Sequence, residues 1–381
     1  MASMYNDQHW MRQALNLSVK GLGCVEPNPM VGCVLVQDDQ CIGYGYHAKF
    51  GQGHAEVQAL ANAAEQGNCV VGATAYVTLE PCCHHGKTPP CTNALMTAGI
   101  QRVVIGVSDP FPKVAGGGIG QLQQAGIAVE VGVLEAETRQ VLAAYLKRQQ
   151  TGLPWVIAKW AMTLDGRIAS SSGDSQWISG EGARRLVHEV RGRVDAIVVG
   201  IGTALADDPS LTARPAGPRT ALRVVVDRKL RLPIDAKLVQ TAMESPVILA
   251  AGADADPEKL KRLKLAGVEV WQPAAISSAE SKGFSYSDFV RQFMAALSER
   301  GVTNVLVEGG GQLLGNLFDQ DCVDEAMVFV SPKVIGGQDA IASVAGEGRG
   351  LMSQCHKFKS VSHQVLGDDV LIHCYLDRAG N

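Results

Sequence analysis

Two hydrophobic periods alternate along this chain, and that alternation restricts the fold more than any other feature. Strand-like runs such as "VGCVLVQDDQCIGYGY", two strands around an Asp-Asp turn, and "ATAYVTLE" are separated by segments with helical spacing, such as "HAEVQALANAAEQG", closed by Gly67. "DQHWMRQALNLSVKG" reads as a helix capped by Asp7, "TNALMTAG" and "GIGQLQQAG" as helices, "RVVIGVSD" and "IAVEVGVL" as strands. The helix "EAETRQVLAAYLKRQQ" ends this series, and "TGLP" is the best boundary. A second series follows, with "PWVIAKWAMTL", "DAIVVGI", "RVVVD", "PVILAAG", "NVLVEGGG", "AMVFVS" and "DVLIHCYL" as strands and "SGEGARRLVHEVRG" and "SDFVRQFMAALSERG" as helices between them. Such alternation calls for α/β sheets covered by helices on both faces. The 381 residues suffice for two such units, expected at 1–151 and 152–381.

Charge excludes a basic nucleic-acid platform. Lys and Arg number 9 against 11 Asp and Glu before residue 152, and 25 against 27 after it. No apolar run has the length of a membrane span, and "MASMYNDQHW" carries no signal-peptide pattern, so a cytoplasmic protein is expected. Ten cysteines in that compartment do not suggest a disulfide framework. Seven precede residue 92, which marks the first half as a separate unit. Cys33 in "VGCVLV" and Cys69 in "NCVV" read as buried strand residues.

The remaining cysteines pose a sharper question. "LEPCCHHGKTPPC", residues 79–91, holds three cysteines and two histidines. Upstream, "GHAEVQAL" puts His54 and Glu56 in the first turn of a helix, two positions apart and so on different faces. One His with Cys82 and Cys91 gives three zinc ligands and an open fourth position, the pattern of catalytic rather than structural zinc. A carboxylate that is not a ligand can then carry a proton from the activated water to a leaving group, and Glu56 fits that role. HxE alone occurs by chance, and the cysteine run alone could be a structural zinc knuckle. Together they follow the order known in zinc deaminases, H-x-E then P-C-x-x-C. The spacing departs from that form, because "CHHGKTPP" separates Cys82 from Cys91. Cys83 reads as a spectator. The long loop reads as a substrate-binding insertion in which His84 and Lys87 are candidates for a hydrogen bond and a phosphate-binding charge; solvated loop residues are the alternative.

At this point the residues resemble a known family. "PNPMVG" (27–32), "GYH" (45–47), "HAE" (54–56) and "TLEPCCHHGKTPPC" (78–91) look like the deaminase half of the RibD family of bifunctional riboflavin biosynthesis proteins. "AMTLDGRIA", "SQWIS", "ADDPSLTAR" and "VEGGG" extend the resemblance through the second half, with weaker matching between residues 230 and 300. The resemblance implies a cytidine-deaminase-like three-layer α/β/α domain, then a dihydrofolate-reductase-like α/β domain. It implies zinc-dependent deamination of 2,5-diamino-6-ribosylamino-4(3H)-pyrimidinone 5′-phosphate, followed by NADPH-dependent reduction of the ribosyl chain of the product to ribityl. One zinc ion per chain, NADPH or NADP+, small phosphorylated pyrimidines as partners and a homo-oligomer, dimer or tetramer, go with that reading. Asn28 and His47 match positions that hold the base, and His84 and Lys87 match positions that contact substrate. Cys83 stands where serine is expected.

In the second half, "GIGTAL" begins as G-x-G. Leu205 occupies the third glycine position and no helix pattern follows, so a Rossmann fingerprint is rejected. "NVLVEGGGQLLGNLF" is a strand, three glycines and a helix; on its own it is a weak phosphate-loop signal. With the resemblance, Gly310, Gly311, Gln312, Leu313, Leu314, Gly315 and Asn316 become the nucleotide-phosphate loop. Ala161, Trp177, Thr203 and Asp207 match nucleotide-binding positions. Ser175, Arg191, Leu211, Arg214 and Glu308 match substrate-binding ones. Without the resemblance, Arg191 reads as an exposed helix charge. Arg228 stands where the family often has serine, and would suit a 2′-phosphate. Lys159 is a candidate for positioning sugar hydroxyls or assisting proton transfer.

Three rivals make different demands. A nucleoside or tRNA deaminase with an appended non-catalytic nucleotide-binding domain would act on cytidine or RNA. A zinc-stabilised scaffold would need a fourth protein ligand. A degenerate reductase would leave NADPH unoxidised.

Overall fold

A computed structural model describes residues 6–84, 89–273 and 285–377, in two compact units, Met1–Gly152 and Leu153–Asn381. The first contains, in order, α1 (Asp7–Ser18), β1 (Gly32–Gln37), β2 (Gln40–Tyr46), α2 (Ala55–Glu65), β3 (Thr74–Leu79), α3 (Cys91–Thr97), β4 (Arg102–Val107), α4 (Gly117–Gln124), β5 (Ala128–Val131), α5 (Glu135–Val141) and α6 (Ala143–Thr151). Its strands lie in the order β2-β1-β3-β4-β5, antiparallel at β1 and parallel from β3 to β5. Asp38 and Asp39 both take positive φ in the β1–β2 turn, the backbone that matches strand twist in a two-residue hairpin.

Alternation along β1 sorts the core. Cys33 and Leu35 point to one face, where they meet Ala55 and Ala59 of α2, Leu95 of α3 and Leu146 of α6. Val34 and Val36 point to the other, against Trp10, Met11 and Ala14 of α1. Helices therefore cover both faces, giving the three layers expected. The α2 helix lies directly on β2 because two glycines there carry no side chain. A Cβ on Gly43 would stand 2.7 Å from the Ala59 carbonyl oxygen, and one on Gly45 would stand 2.5 Å from the Ala59 nitrogen and 2.6 Å from the Ala55 oxygen. This contact sets the start of α2, where His54 is the N-cap residue.

The second unit runs β6 (Trp155–Thr163), β7 (Arg167–Ala169), α7 (Glu181–Arg191), β8 (Ala196–Gly200), α8 (Ile201–Asp207), β9 (Leu222–Val226), α9 (Lys237–Gln240), β10 (Val247–Ala250), α10 (Pro257–Leu265), β11 (Glu269–Trp271), α11 (Tyr286–Glu299), β12 (Asn304–Glu308), α12 (Gly311–Asp319), β13 (Glu325–Ser331), β14 (Ile341–Ala342), β15 (Phe358–Leu366) and β16 (Asp369–Leu376). Its main sheet has the order β11-β10-β9-β8-β12-β6-β13-β16-β15, parallel through β13 and antiparallel at β16 and β15. Ile197 and Val199 of β8 join one hydrophobic cluster, Ala196 and Val198 the opposite one. The two-domain α/β architecture with mixed sheets is thus as expected. No described helix is long and apolar enough to cross a membrane.

Several local expectations are corrected. Asn6, not Asp7, caps α1 by accepting from the His9 N–H. Asp7 instead takes a two-pronged hydrogen bond from Arg102, 2.8 Å at each prong, because the β4 guanidinium reaches the start of the helix. Cys69 is exposed in the loop between Gly67 and β3, outside any strand, so the short apolar run "CVV" never enters the sheet. The single helix expected at 135–150 is two, α5 and α6, broken at Leu142. A helix does follow "GIG": α8 begins at Ile201 with Gly200 as its N-cap. β15 has no alternating apolar pattern because nearly all of it is exposed at the sheet edge.

Candidate active sites

Three segments converge in the first unit. His54 ends the β2–α2 loop, Cys82 follows β3, and Cys91 opens α3. One ligand atom from each lies within 4.8 Å of the others. Nδ1 of His54 is 3.6 Å from Cys82 Sγ and 3.4 Å from Cys91 Sγ. A tetrahedral ion with bonds of about 2.0–2.1 Å to nitrogen and about 2.3 Å to sulfur would separate such ligands by roughly 3.6 Å. The residues fit zinc. Among the described residues no fourth His, Cys, Asp or Glu joins the group, which argues against the scaffold reading. Cys83 is turned aside, its Sγ 3.6 Å from the carbonyl oxygen of Lys113.

Cys82 is brought down to about 4, first by the hydrogen bond from the Cys91 thiol and also by His54 and the Cys91 N–H. Cys91, holding the shared proton, is raised. Cys91 N–H, at the start of α3, points at Cys82 Sγ from 3.3 Å, the way helix N-termini favour anions. Glu56 is 3 % exposed. Before any metal charge is counted, burial, and then the negative charge of Cys82, pushes its carboxyl up to about 7. A carboxyl beside the ligand group is placed to accept and return a proton.

A cavity of about 400 Å³ opens in front of this group, lined among others by Asn28, His47, His54, Glu56, Cys82 and His84. His47 is buried. Its Nδ1 faces the Gly53 carbonyl oxygen at 3.2 Å and its Nε2 faces the Asn28 amide nitrogen at 3.1 Å. Since a carbonyl only accepts, Nδ1 carries the hydrogen and Nε2 accepts from Asn28, orienting that amide. Burial lowers the His47 pKa, in keeping with a neutral ring. His84 packs edge-on against Phe111, and its buried Nδ1 has no hydrogen-bond partner among the described residues. Lys87 lies outside the described residues.

Two contributors escaped the sequence reading. The buried Glu80 carboxylate accepts four backbone N–H groups, from Asp109 and Gly116 on one oxygen and Gly118 and Ile119 on the other, at 3.0–3.2 Å. It thereby fixes the loop that presents Asp109, Phe111 and Val114 to the cavity. The other is α6, which adds Tyr145, Arg148 and Gln149. Glu80 sat in plain view between Leu79 and Pro81, but acceptance by four distant amides leaves no local trace.

In the second unit a cavity of about 860 Å³ brings together Lys159, Ala161, Ser175, Thr203, Asp207, Arg228, Gly310, Gly311, Gln312 and Leu313. Gly309 and Gly310 take φ of +75° and +76°, and α12 starts immediately after them. A Cβ on Gly310 would stand 3.0 Å from Thr203 Oγ1, and one on Gly311 would stand 2.7 Å from the Ala342 carbonyl oxygen. Bare backbone at a helix N-terminus beside a large cavity fits a nucleotide phosphate. Lys229, Arg231 and Tyr286 also line the cavity and were not singled out; the basic run "DRKLR" was the signal for the first two, and Tyr286, at the start of α11, had none.

Other expected residues sit elsewhere. Trp177 is 64 % exposed, with the Arg184 guanidinium 4.7 Å from its ring centre, and is absent from the cavity lining. Leu314 and Gly315 are buried in the α12 packing, and Asn316 donates to Ser287 Oγ at 2.7 Å. Beyond Leu313 the helix turns these side chains from the cavity. Leu211 is buried with φ +50°, and Arg214 is exposed. Arg191 is no exposed helix charge: it grips Glu308 in a two-pronged pair of 2.6 and 2.7 Å, both side chains largely buried. Burial alone would raise Glu308, but the charge and hydrogen bonds of Arg191, with the charges of Lys159 and His188, together outweigh it and the carboxyl is held low. Neither residue lines the cavity, yet Glu308 pairs in register with Lys159 on β6, which does. Burial lowers Lys159 and raises Asp207.

Comparison with known proteins fits this geometry. Residues 4–107 match the cytidine and deoxycytidylate deaminase zinc-binding region, and residues 154–372 match the RibD C-terminal domain. The chain is 40% identical over 366 residues to riboflavin biosynthesis protein RibD of Actinobacillus pleuropneumoniae, covering 96% of this chain and 94% of that protein. It is 38% identical to the Escherichia coli K12 protein of that name, over 96% and 98% of the two chains. Among solved structures, Acinetobacter baumannii RibD superposes with a TM-score of 0.82 at 36% identity, covering 98% of this chain and 99% of that one. The chain therefore belongs to the RibD family, the bifunctional deaminase and reductase enzymes of riboflavin biosynthesis.

Proposed function

We propose that the first unit removes ammonia from 2,5-diamino-6-ribosylamino-4(3H)-pyrimidinone 5′-phosphate and that the second reduces the ribosyl chain of 5-amino-6-(5-phosphoribosylamino)uracil to ribityl. The observation that carries the first half is the approach of His54 Nδ1, Cys82 Sγ and Cys91 Sγ within 4.8 Å, with buried Glu56 beside them. One zinc ion held by these three atoms supplies a water acidic enough to attack at neutral pH. Glu56 takes the proton of that water and passes it to the amino nitrogen, which leaves as ammonia. Asn28 and His47 hold the pyrimidine edge, and the buried, unpartnered Nδ1 of His84 awaits a substrate group, with Lys87 as a further contact.

For the second unit, NADPH supplies the hydride. The N–H groups at Gly310 and Gly311 receive its phosphate, with Thr203, Ala161, Gln312 and Leu313 as the surrounding wall and Arg228 toward a 2′-phosphate. Lys159 and Asp207 face the same cavity and are the groups available to move a proton at the sugar. The Arg191–Glu308 pair holds Lys159 from behind, and Ser175 and Arg214 complete the substrate side. A cytoplasmic homo-oligomer, dimer or tetramer, is the working form.

Purified protein tests both halves in one assay. Ammonia should appear with the diaminopyrimidine but not with cytidine or RNA. NADPH absorbance should fall only when the deaminated ribosylamino compound is present. A chelator should abolish the first activity and spare the second. Ammonia from cytidine, or NADPH left intact with the deaminated compound, rejects the corresponding half.

A further inference from the structure

One histidine of the second unit has no part in the chemistry described so far. His188 and Arg191 stand at i and i+3 on α7, hence on one face, and that face grips the segment between α8 and β9. The Ser210 carbonyl oxygen accepts from Arg223 Nη1 at 3.2 Å, and the Thr212 carbonyl oxygen accepts from Arg191 Nη1 at 3.4 Å. The Arg214 N–H donates to His188 Nδ1 at 3.2 Å. Leu211, among these ties, is buried with φ at +50°, a left-handed backbone that a leucine keeps only where its surroundings dictate it. The segment is therefore held in one shape from several sides, and Arg214 stands at its exposed end.

His188 Nδ1 also lies 3.1 Å from the Thr212 carbonyl oxygen. In a neutral ring one nitrogen donates and the other accepts. Thr212 already receives Arg191, whereas the Arg214 N–H has no other acceptor among the described residues. With the ring hydrogen on Nε2, Nδ1 takes the Arg214 N–H and both groups are served. Burial first, then the charges of Arg191 and Arg214, lower the His188 pKa, in keeping with an uncharged ring. The Arg191 guanidinium is committed to Glu308, so the contact that fixes the Arg214 backbone is the imidazole. A guanidinium meets phosphate oxygens in a two-pronged geometry, and a small displacement of its root spoils the fit. We propose that His188 is a positioning residue of the reductase: by accepting the Arg214 N–H it sets the point from which that side chain reaches the phosphorylated sugar chain of the substrate. This rests on the reading of Arg214 as a substrate contact given above.

The test follows NADPH oxidation by the full-length enzyme with 5-amino-6-(5-phosphoribosylamino)uracil. Arg214→Ala should raise KM for that compound about 10- to 100-fold, the size of a lost charge-assisted contact. His188→Ala should raise it about 3- to 10-fold, the size of a lost neutral hydrogen bond, with kcat and the KM for NADPH little changed, which also reports that the second unit is folded. His188→Asn places an amide oxygen where Nδ1 stands and should restore the parent KM, whereas His188→Leu should not. In the Arg214→Ala background, His188→Ala should add nothing, because a positioning residue has no effect once the group it positions is gone. A parent-like KM in His188→Ala, losses that multiply in the double variant, or an asparagine no better than leucine overturns the assignment of His188. An Arg214→Ala enzyme with the parent's KM refutes the substrate role of Arg214 instead, and the positioning claim falls with it.

Discussion

The two sites solve the problem of buried charge in opposite ways. In the first unit the polar groups gather at a space to be filled: Cys82, His54, Glu56 and His84, whose Nδ1 has no hydrogen-bond partner among the described residues, all line the cavity, with the buried Cys91 behind them. In the second, the strongest charges are turned on each other. Arg191 and Glu308 close a two-pronged pair away from the cavity lining, and the open space is faced by glycine backbone and small aliphatic side chains, with Lys159, Asp207, Arg228, Lys229 and Arg231 set among them. A site whose reactive groups are its own side chains must present them; one whose reactive group is borrowed needs mainly a shaped berth. The first is consequently vulnerable at single atoms, the second at its supports.

Glu56→Gln probes the first half of that contrast most severely. The amide keeps the shape but cannot shuttle a proton, so deamination should drop by about 10²- to 10⁴-fold, with zinc content and NADPH-linked reduction unchanged in the same preparation. Full activity in that variant would sink the proton-carrier role. Arg191→Met tests the second half. It strands Glu308 in the interior, and breaking such a pair costs about 3–5 kcal/mol, so the thermal midpoint of the second unit should fall while zinc binding persists. A midpoint equal to the parent's would show the pair to be ornamental. The mildest effect belongs to a pair that serves no site. Arg102 holds the Asp7 carboxyl below its usual value. A depressed acid contributes stability that is present above its unfolded pKa and lost as pH falls through the folded one. Asp7→Asn should therefore weaken the first unit by less than about 1 kcal/mol at neutral pH, with the gap closing as the solution is acidified below pH about 4. An acid-independent difference in urea midpoints would contradict this.

The same contrast explains what could be read in advance. A candidate metal group announces itself because few residue types bind metal and because strand–helix junctions are visible as changes of period; grouping His54, Cys82 and Cys91 needed only those two facts. The glycine turn before α12 was legible for a similar reason, since positive φ selects glycine. Facing directions were not. Leu314, Gly315 and Asn316 follow that turn in sequence, but a helix rotates about 100° per residue, and packing against α11 and the segment after β14 decides which side looks at the cavity. Trp177 is another case: a conspicuous side chain in a matching motif, whose exposed setting beside Arg184 the motif does not reveal. Arg191 was underread because its partner lies 117 positions away. Cys69 shows the converse, an apolar triplet too short for its own period to tell loop from strand.

The missing side chains of Gly43 and Gly45 have a reach beyond their own strand. His54 and Glu56 ride on the turn of α2 that these glycines seat, whereas Cys82 and Cys91 are anchored to other segments. A single methyl group on β2 would lift the helix bodily and carry imidazole and carboxyl away from the thiolates together. Under the proposed mechanism, metal affinity and proton delivery would therefore change together, through hydrogen atoms on a strand that carries none of the proposed ligands.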